Sequence, residues 1–381
     1  MRIASAIAGA ALALVLASAS ATATATATAP APARGAEVAA GDDRSLGLPS
    51  LQAPPPALAA LGRQLFFDRR LSVNGTLSCA MCHLPEQGFT SNETRTPVGM
   101  EGATLRRNAP TLLNVALVRA LFHDGRAASL EAQALQPLLH PQEMANPSLA
   151  ALTKRIDAMP EYRPAFRAAF GDRHASPARV ASALAAYERT LIAAGSPFDR
   201  WFYGGDAGAV DESVRRGFEL FRKLGCDGCH LVGPHSATFS DDQFHDTGVQ
   251  ARSEAARAHG ARVQLAPGLA TQVSVETLRS IGQGDEPDLG RFEVTRQPQD
   301  LRAYRTPTLR NVALTAPYMH DGSFASLESV IDYYAAGSHP ADPGQDPRLR
   351  GFTLADGDRS ALIAFLRSLT SPTLPNDRHR H

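Results

Sequence analysis

Five stretches of the chain place apolar residues at intervals of three and four, the spacing that buries one face of a helix: AALGRQLFFD, PARVASALAAYERTLIAA, ESVRRGFELFRKL, ASLESVIDYYAAG and DRSALIAFLRSL. Ser176-Pro177 marks one helix start, and Gly337 after Ala336 marks one stop. No segment alternates apolar and polar residues long enough to predict a sustained strand. The pattern therefore predicts an all-α protein.

The N-terminus departs from this pattern. Arg2 precedes the apolar run IAGAALALVLA and the small residues Ala19-Ser20-Ala21, so residues 1–23 read as a secretory signal peptide. The run is shorter than the roughly 20 residues a bilayer-spanning helix requires, which favours export over anchoring. Residues 24–45, rich in Ala, Thr and Pro, have little to bury and read as a flexible linker. The Arg/His tail, residues 376–381, reads as disordered. The rest suits two domains of about 100 to 200 residues each, placed at 46–205 and 206–375. A formal net charge of zero, with arginines scattered among acids, leaves no basic face for nucleic acid.

Cysteine usage sharpens the picture. An exported chain is expected to spend its cysteines on disulfides, yet all four lie in Cys79-Ala-Met-Cys82-His83 and Cys226-Asp-Gly-Cys229-His230. In a C-x-x-C-H unit two sulfurs share a face and can form thioethers to one haem, and the next residue sets an imidazole under its iron. A zinc site has no need of a His after each pair, and a thioredoxin-like pair would occur once. Two covalently bound c-type haems are predicted, with His83 and His230 as iron ligands, in two cytochrome c-like helical domains.

The halves also repeat. FHDGRAASLE at Phe122 returns as MHDGSFASLE at Met319, and a constant offset of 197 runs from Pro110 against Pro307 to Glu131 against Glu328. The haem motifs are offset by only 147, from Cys79 to Cys226, so the second half carries about 50 extra residues, assigned to the polar stretch Val232 to Leu301.

In these blocks, from LGRQLFFDRRLSVNGTLSCAMCH to YRTPTLRNVALTAPYMHDGSFASLESVIDYY, the chain resembles the bacterial di-haem cytochrome c peroxidases and the related MauG proteins. The resemblance implies a periplasmic enzyme that reduces hydrogen peroxide to water at the N-terminal, peroxidatic haem with electrons relayed through the C-terminal haem. Tyr334 falls where the peroxidases have a methionine ligand and MauG proteins a tyrosine; Met319, His320 and Tyr333 are its competitors for the second iron, and a core tyrosine is the plainer reading. Met100 falls where many peroxidases have a distal histidine, so it either ligates the first iron at rest or leaves that face open. Glu143 matches the family's catalytic carboxylate, which can take a proton from peroxide and return it to the leaving oxygen; Gln133 and Pro137 match its pocket neighbours. His123 replaces the tryptophan usual between the haems, which puts electronic coupling there in question. His320 reads equally as a structural or a redox histidine, with Asp124 and Asp321 able to orient the two imidazoles. Trp201, the one tryptophan, reads as structural.

The resemblance also implies an inter-domain calcium site, whose matching places here are Asn108, Thr315 and Pro317. The electron source is expected to be a small periplasmic cytochrome c or cupredoxin, and a homodimer is compatible with the family. Two other readings remain open: a MauG-like oxidase that modifies a residue of a partner protein through a high-valent di-haem state, and a non-enzymatic di-haem carrier or sensor.

Overall fold

A computed structural model describes residues 45–258, 261–266, 269–274, 287–337 and 344–375. The expected signal peptide, the linker up to residue 44 and the tail lie outside the described residues. Helices dominate, and all five expected stretches form them: α1 (Pro56–Phe67), α5 (Pro177–Glu188), α7 (Glu212–Lys223), α10 (Leu327–Ala336) and α11 (Asp358–Ser368). Between them lie α2 (Leu130–Leu139), α3 (Leu149–Asp157), α4 (Tyr162–Phe170), α6 (Pro197–Phe202), α8 (Val249–Ala258) and the single turn α9 (Phe292–Thr295). Side-chain caps fix several starts. Ser129, Ser148, Ser176 and Ser326 each accept a hydrogen bond from a backbone N–H in the first turn, satisfying a donor the helix cannot.

Two hydrophobic cores form. The first gathers Leu61, Leu65, Phe66 and Phe89 with Phe166, Leu184 and Tyr187; the second gathers Phe198, Phe218, Phe221 and Phe239 with Ile331, Leu362 and Phe365. In each, the helix before the haem motif crosses a later helix at a glycine. A Cβ on Gly62 of α1 would lie 1.8 Å from the Ala183 carbonyl oxygen of α5, and one on Gly217 of α7 would lie 2.0 Å from that of Ala361 in α11. Only hydrogen fits, so both helix pairs pack backbone to backbone.

The repeat holds in three dimensions. Asn114 and Asn311 both adopt φ 61°, ψ 18° ahead of short 3-10 turns (Val115–Leu117 and Val312–Leu314). Leu121 bridges Ala127 and Tyr318 bridges Phe324, each pair antiparallel, around the His-Asp-Gly turns.

The helical expectation holds, with brief strand pairing as the exception. The extra segment of the second half holds strand pairing: β2 (Ala261–Ala266) and β3 (Leu269–Val273) run antiparallel with an irregularity between Gln264 and Ala266. Alternation in ARVQLA is visible but too brief to predict a sustained strand. Short strands β1 (Phe244–His245) and β4 (Tyr304–Arg305) also pair. Among the described residues no helix is long and apolar enough to cross a membrane.

Candidate functional site

Each haem motif folds as a tight turn. A 3-10 turn covers Cys79–Met81 and another Cys226–Gly228, and in both the His N–H bonds back to the first Cys carbonyl at 3.0 Å (His83 to Cys79, His230 to Cys226). The turn brings the two sulfurs and the imidazole together, and no disulfide joins any of the four cysteines. Each ring is oriented from behind: His83 Nδ1 lies 3.1 Å from the Phe89 carbonyl and His230 Nδ1 2.9 Å from that of Phe239. A carbonyl there fixes the proton on Nδ1 and leaves Nε2 as the free lone pair. Burial pushes both imidazoles below their usual range, so both are neutral, the form that binds iron.

Both rings face one continuous cavity of about 1670 Å³, whose lining includes Cys82, Cys226 and Cys229. The space is partly open to solvent, and close-packed interiors rarely leave room on this scale unless a large group is meant to sit there. Leu112, Leu113 and Val115 wall it near His83, and Val312, Leu327 and Ile331 near His230. Two neutral imidazoles with free lone pairs, cysteines beside them and apolar walls fit two c-type haems.

On the first motif's side the cavity is lined by Glu143, Gln133 and Pro137, the three expected pocket residues. Glu143 is half-buried in the turn after α2; burial raises its carboxyl above the usual range, with His140 and Arg126 opposing. Its oxygen lies 3.6 Å from His140 Nδ1. Met100 is placed differently from a ligand. It is buried, it is not among the residues lining the cavity, and its sulfur accepts a hydrogen bond from Asn74 Nδ2 at 3.1 Å. Its own N–H donates to the Gln142 carbonyl at 2.8 Å, which docks this loop on the Glu143 turn.

On the second side, Tyr333 and Tyr334 separate cleanly. Tyr333 donates to the Thr247 carbonyl at 2.7 Å and does not line the cavity, whereas Tyr334 lines it. Met319 and His320 also line it, but His320 Nε2 lies 2.9 Å from Gln250 Oε1 and its ring stacks on Tyr304 at 3.6 Å between centroids. His123 lines the cavity as well, with Nε2 2.9 Å from the Asn108 carbonyl oxygen. Burial pushes His123 down to about 3 and His320 to about 4, so both are neutral.

The aspartates do not orient these rings. Asp124 accepts from Arg107 at 2.5 Å and Arg126 at 3.0 Å, and Asp321 accepts from Ser253 at 2.5 Å and from Arg95. Arginine offers a charge-assisted bond that a neutral imidazole cannot match. Arg107 also grips Asp288 with two bonds of 2.6 and 2.7 Å, so residues of both halves meet here.

At the same seam Asn108, Thr315 and Pro317 all line the cavity. Asn108 Nδ2 donates to the Pro317 carbonyl at 2.7 Å, and Asn108 Oδ1 is buried with no partner. An orphaned amide oxygen beside a carbonyl fits an oxygen-liganded cation. Trp201 packs edge-on against Phe198 and Phe218 beside the second core and has no place in the cavity wall.

Sequence reasoning passed over two residues here. His245 lies between Asp241 (2.9 Å) and Asp346 (3.0 Å), and Cys229 and Asp241 push it up to about 9 against burial. Glu188 is buried in the cavity wall beside the first motif. Neither belongs to a recognisable local pattern.

Comparison with known proteins agrees with this arrangement. Residues 56–207 match the family model for di-haem cytochrome c peroxidase. The chain is 39% identical over 329 residues to the methylamine utilization protein MauG of Methylorubrum extorquens, covering 84% of this chain and 82% of that one. It is 35% identical to the cytochrome-c peroxidase IdrP1 of Denitromonas iodatirespirans, over 90% and 92% of the two chains. The crystal structure of a MauG-like protein associated with microbial copper homeostasis superposes with a TM-score of 0.68 at 30% identity, covering 87% of this chain and 96% of that one. A likeness that spans both haem-motif halves, in sequence and in fold, makes this chain a di-haem oxidoreductase of the cytochrome c peroxidase/MauG family.

Proposed function

We propose that the protein is a periplasmic peroxidase that reduces hydrogen peroxide in the His83 half (46–205), with electrons entering through the His230 half (206–375). The observation that carries this reading is Glu143: a half-buried carboxyl, raised by burial, in the wall of the cavity that His83 faces. When bound, the haems supply electron transfer and, at an iron with a free face, a binding position for peroxide. Glu143 would take a proton from one peroxide oxygen and deliver it to the other, which leaves as water, while two electrons relayed through the haems and two protons from solvent would carry the remaining oxygen to a second water. Gln133 and Pro137 shape the space beside it. The fixed Nδ1 proton of His83 holds its ring in place. Met100, held by Asn74 outside the cavity lining, leaves this side without a methionine ligand.

Tyr334 favours a second reading. With Tyr333 anchored to Thr247, Tyr334 is the tyrosine that reaches the His230 side, and a hard phenolate ligand favours the oxidised metal over an easily reduced one. A partner protein oxidised through a stored high-valent state, as the likeness to MauG suggests, would suit such a site better than a high-potential cytochrome donor. Calcium at Asn108, Thr315 and Pro317 would pin the seam in either case.

Stopped-flow mixing with hydrogen peroxide tests the shared step. Glu143→Gln should slow the reaction about 10²- to 10⁴-fold while both haems stay attached. The parent rate should rise with pH through a value above the usual carboxylate range, because the acceptor is the ionised form. A variant reacting at the parent rate would remove Glu143 from the mechanism. Supplying a reduced cytochrome or cupredoxin then separates the readings, since steady peroxide turnover supports the first and its absence the second.

A further inference from the structure

The proton shuttle leaves unused a second carboxyl in the same cavity. Glu188 ends α5, is 6% exposed, and lines the wall shared with His83 and Cys82. Its Oε2 is buried without a hydrogen-bond partner. The two charged neighbours are already matched to each other: Arg189 Nη1 donates to Glu131 Oε1 at 2.7 Å. A carboxylate at a helix C-terminus also meets the negative end of the helix dipole. Burial, which dominates, and Glu131 push the Glu188 carboxyl up to about 8 against the opposing pull of Arg189.

We propose that Glu188 is a proton-binding site coupled to the electron occupancy of the haem held by Cys79, Cys82 and His83. A buried carboxylate without a donor is stabilised by positive charge nearby and destabilised when that charge is removed. As one electron enters from the donor protein, Glu188 Oε2 binds one proton from solvent; as the electron leaves, the proton leaves. The uptake keeps the charge of the pocket constant through each electron transfer and stores a proton beside the site where peroxide reduction consumes protons. The inference rests on the haem motif and holds whether peroxide or a partner protein is the substrate.

An equilibrium redox titration of the holoprotein, followed optically at several pH values without peroxide, reads this coupling apart from catalysis. The potential of the N-terminal haem is expected to fall as pH rises in the parent and in Glu143→Gln, and to lose that dependence in Glu188→Gln. A flat parent, or a slope that survives Glu188→Gln, would overturn the proposal. Should Glu188→Gln fail to retain haem, redox-difference infrared spectra of Glu143→Gln decide. A protonated-carboxyl band that grows on reduction supports the site, and its absence overturns it.

Discussion

Tyr333 and Tyr334 are chemically identical and adjacent, and only their surroundings separate them. Tyr333 has a carbonyl to satisfy it, while Tyr334 lines the cavity and burial raises its phenol well above the usual range. A metal ion is the partner that can pull a proton from such a phenol. Tyr334→Phe should therefore change the absorption and EPR signature of the low-spin haem while Tyr333→Phe leaves it alone; an unchanged spectrum in Tyr334→Phe would exclude it as a ligand. His83 and His230 were legible because C-x-x-C-H is a local pattern with one dominant chemistry. Met100 and Glu188 were not, since what decides each is a partner, or the lack of one, far away in sequence: Asn74 for the sulfur and an empty wall for the carboxylate.

At the scale of elements, helical periodicity located five helices but not all of their ends. The apolar pattern of PARVASALAAYERTLIAA runs past Glu188, yet α5 stops there. Asn114 takes over the following chain, donating its backbone N–H to the Leu191 carbonyl at 2.7 Å and its side-chain amide to that of Ala193 at 2.8 Å. The crossing glycines were equally hidden, because Gly62 and Gly217 sit inside helices where glycine costs stability for no local gain. Their reason is the neighbouring backbone. Gly217→Ala should destabilise the protein by about 1–3 kcal/mol, the usual range for overpacking, and more if α7 and α11 cannot separate. Thermal unfolding of the haem-loaded protein checks this, and an unchanged midpoint would show that the crossing relaxes freely.

Across the whole molecule, the repeat announced two similar halves, and the structure adds how they are tied. Arg107 joins Asp124 of the first half to Asp288 of the second, and Arg107 and Arg106 hold the Asp288 carboxyl well below its usual range although burial raises it. Asn108 follows directly, bonding through its backbone to His123 and His320 and through its side chain to Pro317. Asn108 and Pro317 are grouped in the sequence only through the family resemblance, and the other pairings have no spacing that sequence could reveal. If calcium sits at Asn108, adding it to chelator-treated protein should raise the unfolding temperature, as any ligand of the native state does, and Asn108→Ala should abolish the rise. Equal responses in both proteins would place the ion elsewhere.

The division of labour between the halves can be read in one experiment: low-temperature EPR of the oxidised protein before and after one equivalent of hydrogen peroxide. One high-spin and one low-spin ferric signal, both falling on peroxide addition without prior reduction, is the predicted result, with the His83 side open and the His230 side closed by Tyr334. Two low-spin signals indifferent to peroxide would contradict it, because a side chain would then close the first iron as well and Glu143 would have no substrate to serve.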